Sequence, residues 1–109
     1  MNYQPNKWVI VKVIADKVIY KVFGCWYGSY LEGESWRMNS GIASIKDTGD
    51  AYEFTGYSGS IYICSKNSYG ANGYGSMVLS SMTQEALKND IITVVLDEDT
   101  DFLNLKYEE

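Results

Sequence analysis

The chain has no histidine, and among its 109 residues only one proline, Pro5. Without an imidazole, the usual serine and cysteine triads and most zinc sites are excluded. With proline confined to residue 5, no Pro-rich linker divides the chain. Its length fits a single domain, 1–109, that folds without staples. Cysteine is scarce: Cys25 and Cys64 stand far apart, outside any C-x-x-C motif. They read as buried reduced thiols, with a disulfide left open if their strands are neighbours. The start, MNYQPNKW, has no apolar h-region, and no apolar run approaches the ~18 residues of a membrane span. These absences predict a cytoplasmic protein that does not enter membranes.

Positive charge is also in short supply. Lysine and arginine total 9 against 14 acidic residues, a net charge of −5, and the isoelectric point is near 4.6. Arg37 is the only arginine, and the lysines are scattered. A domain that wraps a nucleic-acid backbone normally carries a basic stripe. Duplex binding and docking on anionic membranes are therefore not expected. Basic proteins, neutral ligands and small anions in a local pocket remain open as partners.

What is present is a globular balance, 46% hydrophobic against 21% charged, with dense β-branched runs. KWVIVKVI (7–14) and VIYKVF (18–23) flank the turn Ala15-Asp16-Lys17 and read as an N-terminal hairpin. Residues 24–41, GCWYGSYLEGESWRMNSG, read as irregular, broken by Gly24, Gly28 and Gly33. Strands follow at 42–45, 51–55 and 61–65, the first two joined by the turn Asp47-Thr48-Gly49-Asp50. A Gly/Asn/Tyr loop covers 66–76. The spacing of Val78, Leu79, Met82 and Ala86 predicts a helix over 76–89, capped by Ser76 and ended by Asn89, with Thr83 as an alternative start. IITVVL (91–96) reads as a buried strand before an acidic run and a short FLNLKY segment. The order predicts an α+β fold, a twisted antiparallel sheet of about five or six strands with the helix on one face. The expected core is Val9, Val11, Val13, Ile19, Val22, Ile61, Ile63, Val78, Leu79, Met82, Ile92, Val94 and Leu96.

The candidate binding residues lie in two Trp/Tyr/Gly/Ser-rich segments, near 26–41 and 56–76. They are Trp26, Tyr27, Tyr30, Trp36, Arg37, Asn39, Ser40, Tyr57, Ser58, Asn67 and Tyr69. Tyrosine and tryptophan offer large contact area at low entropic cost, while Ser, Gly and Asn supply adaptable hydrogen bonds. Arg37 is the obvious anion anchor, since a guanidinium grips phosphate or carboxylate bidentately. Alternation through W-R-M-N puts Arg37 and Asn39 on one face and Trp36 and Met38 on the other. Part of this aromatic set must also serve the sheet's own packing.

Catalytic and metal readings are weaker. Glu32 and Glu34 flank a glycine in a turn and look solvated rather than paired for acid–base work. G-Y-S-G-S (56–60) lacks the spacing, following helix and base of a nucleophile elbow. Asp97, Asp99, Asp101 and Glu108 fall at positions 1, 3, 5 and 12 of a calcium loop. However, Phe102 occupies the place where that loop needs glycine, so an exposed acidic turn is the default. The expectation is a non-enzymatic protein with no cofactor and no metal.

Three stretches, WYGSYLEGESWRMNSGI (26–42), YSGSIYICSKNSYG (57–70) and DEDTD (97–101), resemble small accessory proteins of tailed bacteriophages, and the likeness covers most of the chain. The resemblance implies an accessory protein made in the host cytoplasm and carries over no functional residue. Proteins of this kind often counter host defence. Some act as sponges that sequester nucleotide-type immune signals, commonly as oligomers. Others are stoichiometric inhibitors or adaptors that bind a host protein. Aromatic, Ser/Asn-rich loops with one arginine suit a sponge for a small nucleotide-like ligand. The host-protein inhibitor and a virion or assembly component are the alternatives, and a homo-oligomer is expected.

Overall fold

Four consecutive residues, Trp8, Val9, Ile10 and Val11, are each at most 2% exposed. Successive strand side chains point to opposite faces, so a strand buried at four running positions must be covered on both sides. That requirement sets the layering. The structure, a computed structural model, describes residues 1–28 and 33–107. Its strands are β1 (Asn2–Tyr3), β2 (Lys7–Ile14), β3 (Val18–Trp26), β4 (Ser35–Met38), β5 (Ile42–Asp47), β6 (Ala51–Gly56), β7 (Ile61–Ser65) and β8 (Ile92–Val95). One helix, α1 (Gly73–Leu87), precedes β8, and a 3-10 turn, Phe102–Asn104, follows it.

The strands form two four-stranded sheets, ordered β4-β3-β2-β8 and β1-β7-β6-β5. The first is the middle layer. On one side Trp8, Ile10, Tyr20 and Val22 meet Ile42, Phe54, Tyr62 and Cys64 of the second sheet. On the other side Val9, Val11, Phe23 and Cys25 meet Leu79, Val78 and Met82 of α1. Among the described residues the strands pair antiparallel except β1 with β7, where Tyr3 is the partner of Tyr62, and a single parallel bridge joins Trp8 to Tyr69. The tail closes the gap between the sheets with Phe102 and Tyr107, and the Tyr107 hydroxyl donates to the Phe102 carbonyl.

The fold is α+β, and the strands expected in one sheet of five or six divide between two. The reason is the double-sided burial of β2 and β3, which a sheet covered on one face cannot provide. The helix starts earlier than 76, because Asn72 and not Ser76 caps it: Asn72 Oδ1 accepts from the Gly75 N–H at 2.6 Å. It ends at Leu87, ahead of Asp90, whose φ of 60° breaks the helix. Residues 24–41 are not wholly irregular, since β3 runs on through Gly24 and pairs with β4. Glycine suits that position because Pro5 packs on it; a Cβ there would lie 2.9 Å from Pro5 Cβ.

Of the expected core, Val9, Val11, Val22 and Leu79 are buried, while Val13, Ile19, Ile61, Ile63, Val78, Met82 and Leu96 are half-buried. Ile92 and Val94 are instead 50% and 42% exposed. They project from an outer strand at a place the second sheet does not reach. Cys25 and Cys64 are free and buried, in the clusters on opposite faces of the middle sheet. That separation removes the disulfide alternative, and burial pushes both thiols up from their ordinary pKa.

Among the described residues Trp8 touches more rings than any other aromatic. It stands edge-on to Tyr69 at 4.8 Å and tilted against Phe54 and Phe102 at 5.6 Å, and its Nε1–H donates to the Ser65 carbonyl at 2.7 Å. Trp8→Ala should lower unfolding stability by about 3–5 kcal/mol, a large part of the ~5–15 kcal/mol available to a domain. Trp8→Phe should lose less. Urea titration checks both, and a loss below about 1 kcal/mol for Trp8→Ala would show that the rings repack without it.

Candidate functional site

The first candidate segment contributes β3 and β4, which pair antiparallel; Tyr30, Glu32 and Glu108 lie outside the described residues. Trp26 ends β3 half-buried, and its Nε1–H donates to the Gln4 carbonyl at 3.1 Å. Tyr27 follows, 55% exposed, held by its backbone N–H donating to Asn6 Oδ1 at 3.0 Å. Along β4 the side chains alternate as strand geometry requires. Trp36 turns to the helix side and stacks on Phe23, centroids 5.4 Å apart and planes 14° from parallel. Arg37 turns the other way, its guanidinium 4.6 Å above the Tyr3 ring. Tyr3 in turn leans on Tyr62 at 5.0 Å and meets Trp26 edge-on at 6.5 Å. Arg37 and Trp26 are thus gathered around Tyr3, a residue the sequence reading passed over.

Asn39 is turned inward. Its backbone N–H donates to the Val22 carbonyl at 3.1 Å, and its Oδ1 accepts from the Val22 N–H at 2.9 Å. The side chain thereby continues the β3 ladder where β4 has stopped, and Asn39 Nδ2 is buried with no hydrogen-bond partner among the described residues. Ser40 Oγ lies 3.4 Å from Ser58 Oγ on the exposed surface. Beside them the Tyr57 ring packs against Gly41, where a Cβ would come within 2.5 Å of the ring and where φ is +141°. The Tyr57 hydroxyl donates to the Tyr107 carbonyl at 2.9 Å. Tyr57 is half-exposed and still ties the tail to the second sheet.

The second segment divides. Asn67 is exposed in a turn, its backbone N–H donating to Ser65 Oγ at 3.3 Å. Tyr69 belongs to the core: it packs on Trp8 and Phe102, donates its hydroxyl to the Leu96 carbonyl and accepts from the Ile10 N–H at 3.1 Å. The candidates are therefore gathered in two places, Trp26–Tyr27–Trp36–Arg37 on or beside the β3–β4 pair and Ser40–Tyr57–Ser58 beside the tail.

No protein-family model, curated protein or solved structure matches this chain. Among the described residues, no group of three or more His, Cys, Asp or Glu is placed to hold a metal ion. The acidic run forms an exposed turn in which Asp101 accepts from Asn104 Nδ2. No described helix is long and apolar enough to cross a membrane.

Two concave features escaped the sequence reading. A cleft of about 180 Å³ lies between α1 and the middle sheet, walled by Val11, Val13, Lys21, Met38, Met82 and Ala86 among others. A wider groove of about 490 Å³ runs past Tyr69, Ser76 and Ser80 to Asp97 and Glu98. The one sequence signal for the first was Lys21, a cation in a row of β3 side chains that otherwise face the helix with apolar groups.

Burial holds the Tyr62 and Tyr69 phenols up at about 12, against an ordinary value of 10, opposed at Tyr62 by Arg37 and at Tyr69 by the Ile10 N–H. A phenol whose folded pKa is raised binds its proton more tightly in the fold than in the unfolded chain. Its contribution is complete below pH 10 and is lost as pH rises through 12. The chain should therefore unfold in that alkaline window, with tyrosinate absorbance rising in step with the loss of far-UV circular dichroism. Tyr69→Phe should make the transition shallower. Full tyrosinate absorbance on a still-folded chain would count against buried phenols.

Proposed function

We propose that this chain is a non-catalytic binding protein that engages a protein partner through the exposed β3–β4 edge. One observation carries the reading. Tyr27 is 55% exposed and Trp36 38% exposed, and with exposed Arg37 they sit on or beside β4, the outermost strand of its sheet. Trp, Tyr and Arg are the residue types that dominate binding energy at protein interfaces. A free strand edge adds unpaired backbone donors and acceptors that a partner strand can meet. With the resemblance to phage accessory proteins, the partner class is a protein of the bacterial host, met in its cytoplasm.

Sequestration of a nucleotide-type signal is the less favoured reading on the same geometry. A small ligand is normally buried by 70–90% in a concave site. Here Trp36 and Arg37 leave β4 from opposite faces, and Tyr69 and Asn39 are taken up by the core and the ladder. The expected homo-oligomer has a surface of its own in β8. Among the described residues that strand is unpaired on its outer side; it carries no charge and exposes Ile92, Val94 and Val95 by 50, 42 and 43%.

A photo-crosslinking residue at position 27 or 36, presented to host lysate, should trap one dominant protein, and the same probe at Lys46 on β5 should not. Arg37→Glu should weaken that capture at least tenfold without lowering the melting temperature. Equal adducts from Lys46 would overturn the reading. So would a thermal shift with cyclic dinucleotides that Arg37→Ala abolishes, which would restore the nucleotide reading. Sedimentation tests the oligomer separately: a dimer is expected, reduced to monomer by Val94→Lys, and a monomer at every concentration would remove it.

A further inference from the structure

We propose that the cleft between α1 and the middle sheet binds a small apolar carboxylate, with its hydrocarbon part between the helix and the sheet and its head on Lys21. The cleft is a wedge, and its shape follows from the residues of the helix. The first turns lie tight on the sheet: Gly75 has no side chain and rests where a Cβ would come 2.4 Å from Cys25 Sγ, and Leu79 is buried. Further along, the residue facing the sheet is Ala86, whose methyl group does not fill the space above Val11, Val13 and Val95. About 180 Å³ is left there. An apolar cavity of ~150 Å³ is enough to take benzene, so the space suits the apolar part of a ligand with roughly six to eight carbons. It falls below the ~300–1,000 Å³ of sites that hold larger organic ligands.

The polar groups in the wall narrow the ligand class. Thr83 Oγ1 donates to the Leu79 carbonyl at 2.9 Å and accepts from Thr93 Oγ1 at 3.0 Å. Those hydroxyls are already engaged with each other, so a sugar or base would find little to bond. Lys21 is the one charged residue of the wall among the described residues. It is the β3 partner of Val11, in the row with Phe23 and Cys25 that faces the helix. The ion pairs among the described residues are Lys66–Asp47 and Lys88–Glu85, and Lys21 is in neither. An ammonium beside an apolar cleft complements a carboxylate joined to a hydrocarbon chain.

Octanoate is the probe, with octanol as its uncharged counterpart. Titration followed by amide NMR should show saturable octanoate binding with a Kd on the order of 0.1 mM. The shifted signals should be those of Val11, Val13, Met82, Ala86 and Thr93. Lys21→Gln should weaken octanoate about tenfold or more and leave octanol unchanged. Ala86→Phe, which fills the wedge, should remove both. If that variant does not fold, the shift map on the unaltered chain decides. No saturation by about 10 mM octanoate, shifts centred elsewhere, or equal loss of octanol and octanoate in Lys21→Gln would overturn the proposal. The cleft shares only Met38 with β4, so its failure would leave the protein-binding reading standing.

Discussion

The rest of the structure depends on the burial of β2 and β3 on both faces. The run Trp8-Val9-Ile10-Val11 leaves no face for solvent, so one sheet must be sandwiched, and the chain supplies a second sheet on one side and a helix on the other. Trp8 fixes the first interface. It brings together rings from β6 (Tyr52, Phe54), the segment before α1 (Tyr69) and the C-terminal turn (Phe102), and its indole N–H is satisfied by the Ser65 carbonyl. Such a cluster is worth more than its buried area alone, because edge-on and tilted rings attract through their quadrupoles. Phe23, Cys25 and Leu79 fix the second interface with fewer and smaller groups.

That arrangement assigns most of the aromatic residues to structure. Tyr69 and Tyr107 hydrogen-bond main-chain carbonyls, Tyr57 ties down the tail, and Tyr3 supports Arg37. Surface left for a partner then concentrates at sheet edges. The edges of the second sheet are guarded in familiar ways: β1 has only two residues, and β5 carries Lys46, Asp47 and a register shift near Ile42. The middle sheet ends instead in β4, with Trp36 and Arg37 exposed, and in β8, with no charge at all. Guarded edges discourage pairing with other chains, and unguarded ones invite it.

Local periodicity made the individual strands legible. Residues 7–14, 51–55 and 61–65 are strands because β-branched and aromatic residues favour the pleated sheet, and Trp36 and Arg37 leave opposite faces of β4 as strand geometry requires, whereas Asn39 lies past the end of β4 and spends its side chain on the β3 ladder. The layer count was not legible. Apolar residues at both odd and even positions of β2 show two-sided burial only if they are read as one signal, and no local rule says what covers each face. Ile92 and Val94 show the converse: their composition is that of a core strand, and position at the edge overrides it. Glycines misled at Gly24, which reads as a break and is instead a strand position cleared for Pro5. Tyr69 in a Gly/Asn-rich segment reads as a contact residue, and only the parallel bridge between Trp8 and Tyr69 brings it into the core.

The helix–sheet cleft has a thermodynamic side. At about 24 cal/mol per Å³, a closed void of the cleft's 180 Å³ would cost roughly 4 kcal/mol. The cleft is open to solvent, so that figure is an upper bound, yet even a third of it is appreciable against a total stability of ~5–15 kcal/mol. The remedy is a single side chain away, since leucine at position 86 would fill much of the wedge and is nearly as good a helix former as alanine. A glycine that seats the start of the helix and an alanine that leaves the later part standing off have opposite effects on packing. Their coexistence in one helix leaves an apolar wedge beside Lys21, and that wedge is the packing on which the proposed carboxylate site rests.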